Sequence, residues 1–233
     1  MLKNAEIILD GTYQYFEKDV NYSHENFKLV YLPDEQNYHI YAEVLSRIET
    51  GEFLKILVRY EMNSQFLPEF VRIEKSIGNK YALETYEIDS TNLELKYGFQ
   101  NSQSTQEYKR AISAKHYITS PAVSTSAIFT LSKKFDATGR TPVILIGSDN
   151  EWTYAGPPTE KMVYADFKAR DMADFKLRGN ALSASLLCLY EHDSSHADLE
   201  DPVELYLSKH YSIPYKLSNG DLKVEISKLK KNS

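Results

Sequence analysis

Three of the six histidines fall within residues 190–217 (YEHDSSHADLEDPVELYLSKHYSIPYKL), among acids and tyrosines. His192 and His196 stand four apart with Glu191, Asp193 and Asp198 nearby; on a helix both imidazoles would share a face able to hold a divalent metal. The residues between them are Asp-Ser-Ser, which favours a turn, and the glutamate of a His-Glu-x-x-His site is missing. The segment therefore reads first as a solvated acidic loop, with metal binding as the weaker alternative. His210 lies in SKHYSIPY beside Tyr211 and Tyr215, and inside a pocket it could serve as a general acid or base or fix a polar ligand group. The alternative is a strand whose alternation leaves His210 at a rim, bent by Pro214. His116, in AKHYITSP, precedes a helix start at Ser120, where unpaired N–H groups favour an anion unless Ser120 simply caps them. Trp152 and Tyr154, in SDNEWTYAGPP, could cover a pocket mouth or a partner surface, or anchor their loop to the core. His39 and Tyr41 share one strand face, as do Arg59 and Glu61; these are the wet side of a hairpin or the lining of a cavity, and the pattern leaves both open.

Several chemistries are disfavoured. The chain has no Gly-x-Ser-x-Gly elbow, dinucleotide fingerprint, phosphate-binding loop or Cys-x-x-Cys. Its single cysteine, Cys188, sits among Leu186, Leu187 and Leu189 and reads as a packing residue. No cofactor is implied. With 33 acids against 27 scattered bases the net charge is -6, so nucleic acid is not an expected partner. No window approaches the ~20 apolar residues of a membrane-spanning helix, and the start lacks the apolar run of a signal peptide. The expectation is a soluble protein, cytoplasmic as written or periplasmic if a leader was removed.

The elements that must position these groups are mostly strands. The 18 tyrosines and 10 phenylalanines against nine glycines favour pleated, half-buried faces. Residues 12–18, 26–32, 38–48 and 53–62 alternate between apolar and polar and are separated by turn residues. In residues 38–48 the inner set is Tyr38, Ile40, Ala42 and Val44; in residues 53–62 it is Leu54, Ile56, Val58, Tyr60 and Met62. Residues 70–74, 81–88, 93–99 and 107–112 continue the pattern. Residues 120–135 switch to helical spacing, with Pro121 in the first turn and Lys133 and Lys134 near the end, predicting one helix. PVILIG (142–147) reads as a strand buried on both faces, and residues 161–175 as a strand pair broken near 170–173. Asn219-Gly220 forms the turn of a final hairpin, with Leu222, Val224 and Ile226 alternating toward the core. The prediction is a mainly β chain (all-β or α+β), one domain over 1–233. It would form a strongly curved antiparallel meander or partial barrel of about a dozen strands with one helix packed on its concave side.

This long meander with one helix, its Leu67-Pro68 and Ile77-Gly78 punctuation and its aromatic strands resemble bacterial half-barrel proteins of the lipoprotein-carrier-like type. The resemblance carries over no functional residue. It implies binding of acyl chains or other apolar ligands in a concave sheet. The leading expectation is accordingly a module that binds an apolar or amphipathic small molecule or lipid, with candidate contacts at His210, Tyr211, Tyr215, His116, Trp152 and Tyr154. One alternative is a cofactor-independent isomerase, cyclase or hydrolase using a histidine with tyrosine and acid groups in the cavity. The other is a structural subunit whose strand edges meet a protein partner.

Overall fold

The computed structural model describes residues 5–48, 50–132, 140–191, 202–208 and 213–232, apart from the side chains at 132, 170, 171, 173 and 174. Its strands are β1 (Glu6–Glu17), β2 (Val20–Leu32), β3 (Asn37–Arg47), β4 (Phe53–Met62), β5 (Pro68–Ile77), β6 (Lys80–Asp89), β7 (Glu94–Asn101), β8 (Thr105–Ala111) and β9 (Tyr117–Ile118). After two helical turns, α1 (Val123–Ser126) and α2 (Phe129–Ser132), come β10 (Arg140–Gly147), β11 (Thr159–Leu177), β12 (Asn180–Glu191), β13 (Val203–Ser208), β14 (Pro214–Asn219) and β15 (Leu222–Lys231). These described strands join one 15-stranded sheet in the order β8-β7-β6-β5-β4-β3-β2-β1-β15-β14-β13-β12-β11-β10-β9. The first and last strands are therefore neighbours in its middle, and β8 and β9 are its two ends.

The alternation written into the strands decides which face is inside. Phe27 and Leu29 on β2, Ile40, Ala42 and Val44 on β3, and Ile56, Val58, Tyr60 and Met62 on β4 are all buried. The sheet curls so far that β9 returns to its inner side, where the Ile118 N–H donates to the Tyr60 hydroxyl at 3.0 Å. Gly11 permits one close approach: a Cβ there would lie 2.5 Å from the buried ring of Phe27.

The expected helix is replaced by two four-residue turns, and positions 133–135 lie outside the described residues. Thr125 and Thr130 turn their hydroxyls back onto the carbonyls of Ala122 and Ala127 (3.1 and 2.7 Å), and such bonds compete with helix propagation. Nor does Ser120 cap the first turn. Its N-cap is Ala122, without a side-chain bond, and the Val123 and Ser124 N–H groups instead donate to the buried Glu25 carboxylate at 2.8 and 3.1 Å. The expected break near 170–173 is no turn. There β11 runs on for 19 residues against β12, absorbing the irregularity as register shifts between Phe167 and Phe175. One pairing departs from the antiparallel meander: β9 and β10 are parallel. PVILIG is covered only partly, with Val143 and Ile146 buried and Ile144 and Leu145 half-buried.

Candidate binding groove on the outer face

Among the described residues, large side chains pack the inside of the curl. Tyr13, Tyr60, Tyr86, Tyr97 and Tyr117 are among its largest fully buried side chains, so these aromatics pack the core. Where α1 and α2 meet Phe27, Leu29 and Ile40, the remaining space is about 20 Å3, room for one water. Two buried carboxylates organise this interior. Glu25 accepts from the Tyr15 hydroxyl and the two N–H groups of α1. Burial raises its carboxyl pKa, against the opposing pull of those hydrogen bonds. Glu84, on β6, accepts from Lys75 Nζ (2.9 Å) and from the hydroxyls of Tyr86 (3.1 Å) and Tyr97 (2.9 Å). Lys75 also donates to the Asn150 carbonyl at 2.7 Å. Asn150 in turn donates to the Tyr97 hydroxyl and accepts from the Ala155 and Gly156 N–H groups, which clamps the loop of residues 148–158 inside the sheet.

A hollow of about 610 Å3 lies on the opposite, outer face of β2 to β5. Residues directly opposite on neighbouring strands share a face, so register builds its walls. Lys28, Tyr41, Arg59 and Arg72 face one another in turn across β2, β3, β4 and β5. The adjacent row is Asn26, Glu43, Leu57 and Glu74. Two arginines side by side repel, and each is drawn to an acid instead: Arg59 to Glu61 at 2.6 Å and Arg72 to Glu74 at 2.8 Å. Glu43 is held by Lys55 at 2.7 Å. Lys28, exposed at the end of the row, has no ion-pair partner among the described residues. The lining itself thus carries three cations against two anions, in a chain of net charge -6. Leu57, the Tyr41 ring and the lysine and arginine stems supply apolar area between the charged tips.

His39 is buried one row beyond. Its Nδ1 lies 3.2 Å from the Tyr41 hydroxyl, and its Nε2 is 3.8 Å from the Glu61 carboxylate and without a hydrogen bond. Burial lowers the imidazole pKa, with Glu61 opposing and Arg59 assisting. A neutral ring carrying its proton on Nε2 would accept the Tyr41 proton at Nδ1 and turn Nε2–H toward Glu61. Burial likewise raises the Tyr41 phenol.

The other sequence candidates divide between described residues that stand apart and residues that are not described. His192, His196, His210 and Tyr211 lie outside the described residues. His116 is buried, its Nδ1 bonded to the Ser113 carbonyl at 2.7 Å and its Nε2 unpartnered, and burial lowers its pKa. Trp152 and Tyr154 belong to the clamped loop: the Trp152 carbonyl accepts from Asn101, and Tyr154 meets Phe99. Tyr215, on β14, stacks on Phe175. Of the groups flagged in the sequence, only His39, Tyr41, Arg59 and Glu61 come together among the described residues. The pattern does not single out Lys28, Arg72, Leu57 and Glu74, though the turns after β2 and β3 place Lys28 opposite Tyr41 and Tyr41 opposite Arg59. No cluster of three or more metal-ligating side chains occurs among the described residues, and no helix there is long and apolar enough to cross a membrane.

A mostly β chain folded into one curved, unclosed sheet is barrel-like, and its resemblances to known proteins lie at that level. No family model and no curated protein matches the chain. Among solved structures it is similar to a beta-barrel-like protein of the domain of unknown function DUF1849 from Brucella abortus. That match has 8% identity and a TM-score of 0.53, over 97% of this chain and 98% of the other. It is also similar to a DUF1089 family protein from Pseudomonas aeruginosa, at 11% identity and TM-score 0.52, over 84% of this chain and 89% of that one. At these identities the likeness is one of fold.

Proposed function

We propose that the chain is a binding module for an amphipathic small molecule or lipid bearing an anionic group, held in the outer groove of β2 to β5. The observation that carries this reading is the cation row beside an apolar floor. Lys28, Arg59 and Arg72 lie in register with Tyr41, and Leu57 and the side-chain stems lie next to them in a hollow of about 610 Å3. That volume is within the range of small-molecule sites, and an anion over the row would offset the repulsion of the facing arginines. Titration with a dansyl-labelled fatty acid tests it. Saturable binding is expected, weakened by salt and by at least about tenfold in Lys28→Glu/Arg72→Glu, while Tyr154→Ala in the interior loop leaves it unchanged. Absence of saturable binding, or equal binding by the double variant, would refute the reading.

The His39–Tyr41–Glu61 alignment favours a second reading, a cofactor-independent enzyme in which Tyr41 exchanges a proton with substrate and His39 positions its hydroxyl. Any turnover found by substrate screening should then disappear in Tyr41→Phe and change its pH profile in His39→Gln. An unchanged rate in Tyr41→Phe excludes it.

A further inference from the structure

We infer that β8 is a self-complementary edge through which two copies of this chain pair antiparallel, extending the sheet across a two-fold axis at Tyr108. β8 stands at one end of the sheet, and its sequence TQEYKRA is exposed throughout except at half-buried Arg110. Its hydrogen-bonding pattern is fixed by the β7 side. The Asn101 N–H bonds the Ser104 carbonyl, the Ile112 N–H bonds the Leu93 carbonyl, and Tyr97 faces Tyr108. That phase turns the backbone groups of Gln106, Tyr108 and Arg110 toward β7. The N–H and C=O groups of Glu107 and Lys109 therefore point outward, where an incoming strand would meet them.

A charged edge ordinarily discourages pairing. Here the charges are arranged so that a second copy satisfies them. With the axis at Tyr108, Glu107 of each copy falls directly opposite Lys109 of the other, and these two residue pairs exchange four backbone hydrogen bonds. The Tyr108 rings meet at the close, non-hydrogen-bonded position between them. Glu107 has no ion-pair partner among the described residues, and Gly98, its neighbour on β7, leaves its side free. Lys109 bonds Glu94 at 3.0 Å within its own chain but also faces Lys96, so a second carboxylate beside it lowers a like-charge cost. Tyr108 is 37% exposed, a large ring left half in water at the centre of the proposed contact.

Sedimentation velocity over a concentration series, with charge-reversed chains, tests this. The wild-type chain should show a reversible monomer–dimer equilibrium. Glu107→Lys sets lysine against lysine and Lys109→Glu sets glutamate against glutamate, so each alone should weaken the dimer by at least about tenfold. An equimolar mixture of the two should form a heterodimer, because both facing positions across the axis then pair a lysine with a glutamate. The double swap in one chain should dimerise as the wild type does. A wild-type chain that stays monomeric, single variants that dimerise unchanged, or a mixture that remains monomeric would each overturn the inference.

Discussion

Replacing Lys75 by methionine removes one half of the most enclosed ion pair in the described structure. The Lys75 and Glu84 side chains are 14% and 3% exposed, so neither charge has free recourse to water. Breaking such a pair from one side costs about 3–5 kcal/mol, mainly because the remaining charge stays buried. Glu84 would keep the hydroxyls of Tyr86 and Tyr97, which places the cost of Lys75→Met at the low end, about 3 kcal/mol. At about 2–4 °C per kcal/mol for a chain of this size, the melting temperature should fall by roughly 10 °C. The more discriminating assay is a double-mutant cycle by urea denaturation. In the wild-type background Glu84→Gln should be destabilising, since it takes a charge from a satisfied pair. In the Lys75→Met background the same change should be stabilising, since it neutralises the orphaned carboxylate. Hydrogen exchange adds a local readout: the Ala155 and Gly156 amides, bound to Asn150, should exchange faster in Lys75→Met because Lys75 holds the Asn150 carbonyl. A loss below about 1 kcal/mol for Lys75→Met, or the same sign for Glu84→Gln in both backgrounds, would refute the reasoning.

Two further predictions concern pH. The folded state raises the Glu25 pKa, so it binds a proton more tightly than the unfolded chain does; the cost is complete above the folded pKa and disappears as pH falls toward the ordinary value near ~4.3. The stability of the wild type relative to Glu25→Gln, from urea melts, should therefore increase on acidification from pH ~7 to ~5, and a constant or declining difference would contradict it. His39 behaves oppositely. Its lowered pKa makes the unfolded chain the better proton binder, so its contribution is intact above ~6.5 and is lost as pH falls through the folded value. The drop in stability between pH ~7.5 and ~5.5 should be smaller in His39→Gln than in the wild type, and equal drops would show that His39 does not titrate as its burial requires.

The hairpins were legible because two signals agree in them. Alternation picks the inner residues and a turn fixes the register, and residues 53–62 become β4 with Ile56, Val58, Tyr60 and Met62 buried as expected. The final hairpin follows the same logic around Gly220, whose φ is +55°, although Leu222 at its mouth is exposed rather than inward. Residues 120–135 mislead because helical spacing takes no account of their hydroxyls, which bond the local backbone and hold the described part of the segment to two turns. Glu25 and Glu84 also left a trace: each occupies an inward position, between Ser23 and Phe27 and between Ala82 and Tyr86. What such a glutamate meets depends on partners 98 or 75 residues away in sequence, as with Val123 for Glu25 and Asn150 for Lys75, and no local pattern encodes that. The groove was half visible for the same reason. His39, Tyr41, Arg59 and Glu61 sit on a single hairpin, whereas Lys28 and Arg72 join them through pairings with β2 and β5.

The junction of β1 with β15 governs when the molecule becomes whole. The Tyr13 hydroxyl bonds the Pro214 carbonyl 201 residues away, and Leu9 through Glu17 pair with residues 222–231. As the polypeptide leaves the ribosome, β1 through β8 can zip hairpin by hairpin while one flank of β1 stays bare, and that flank waits until β15 has been made. The last strand is thus a keystone. A chain lacking it would not fray at a margin but part down the middle into two half-sheets, each presenting a fresh edge to any strand that drifts by.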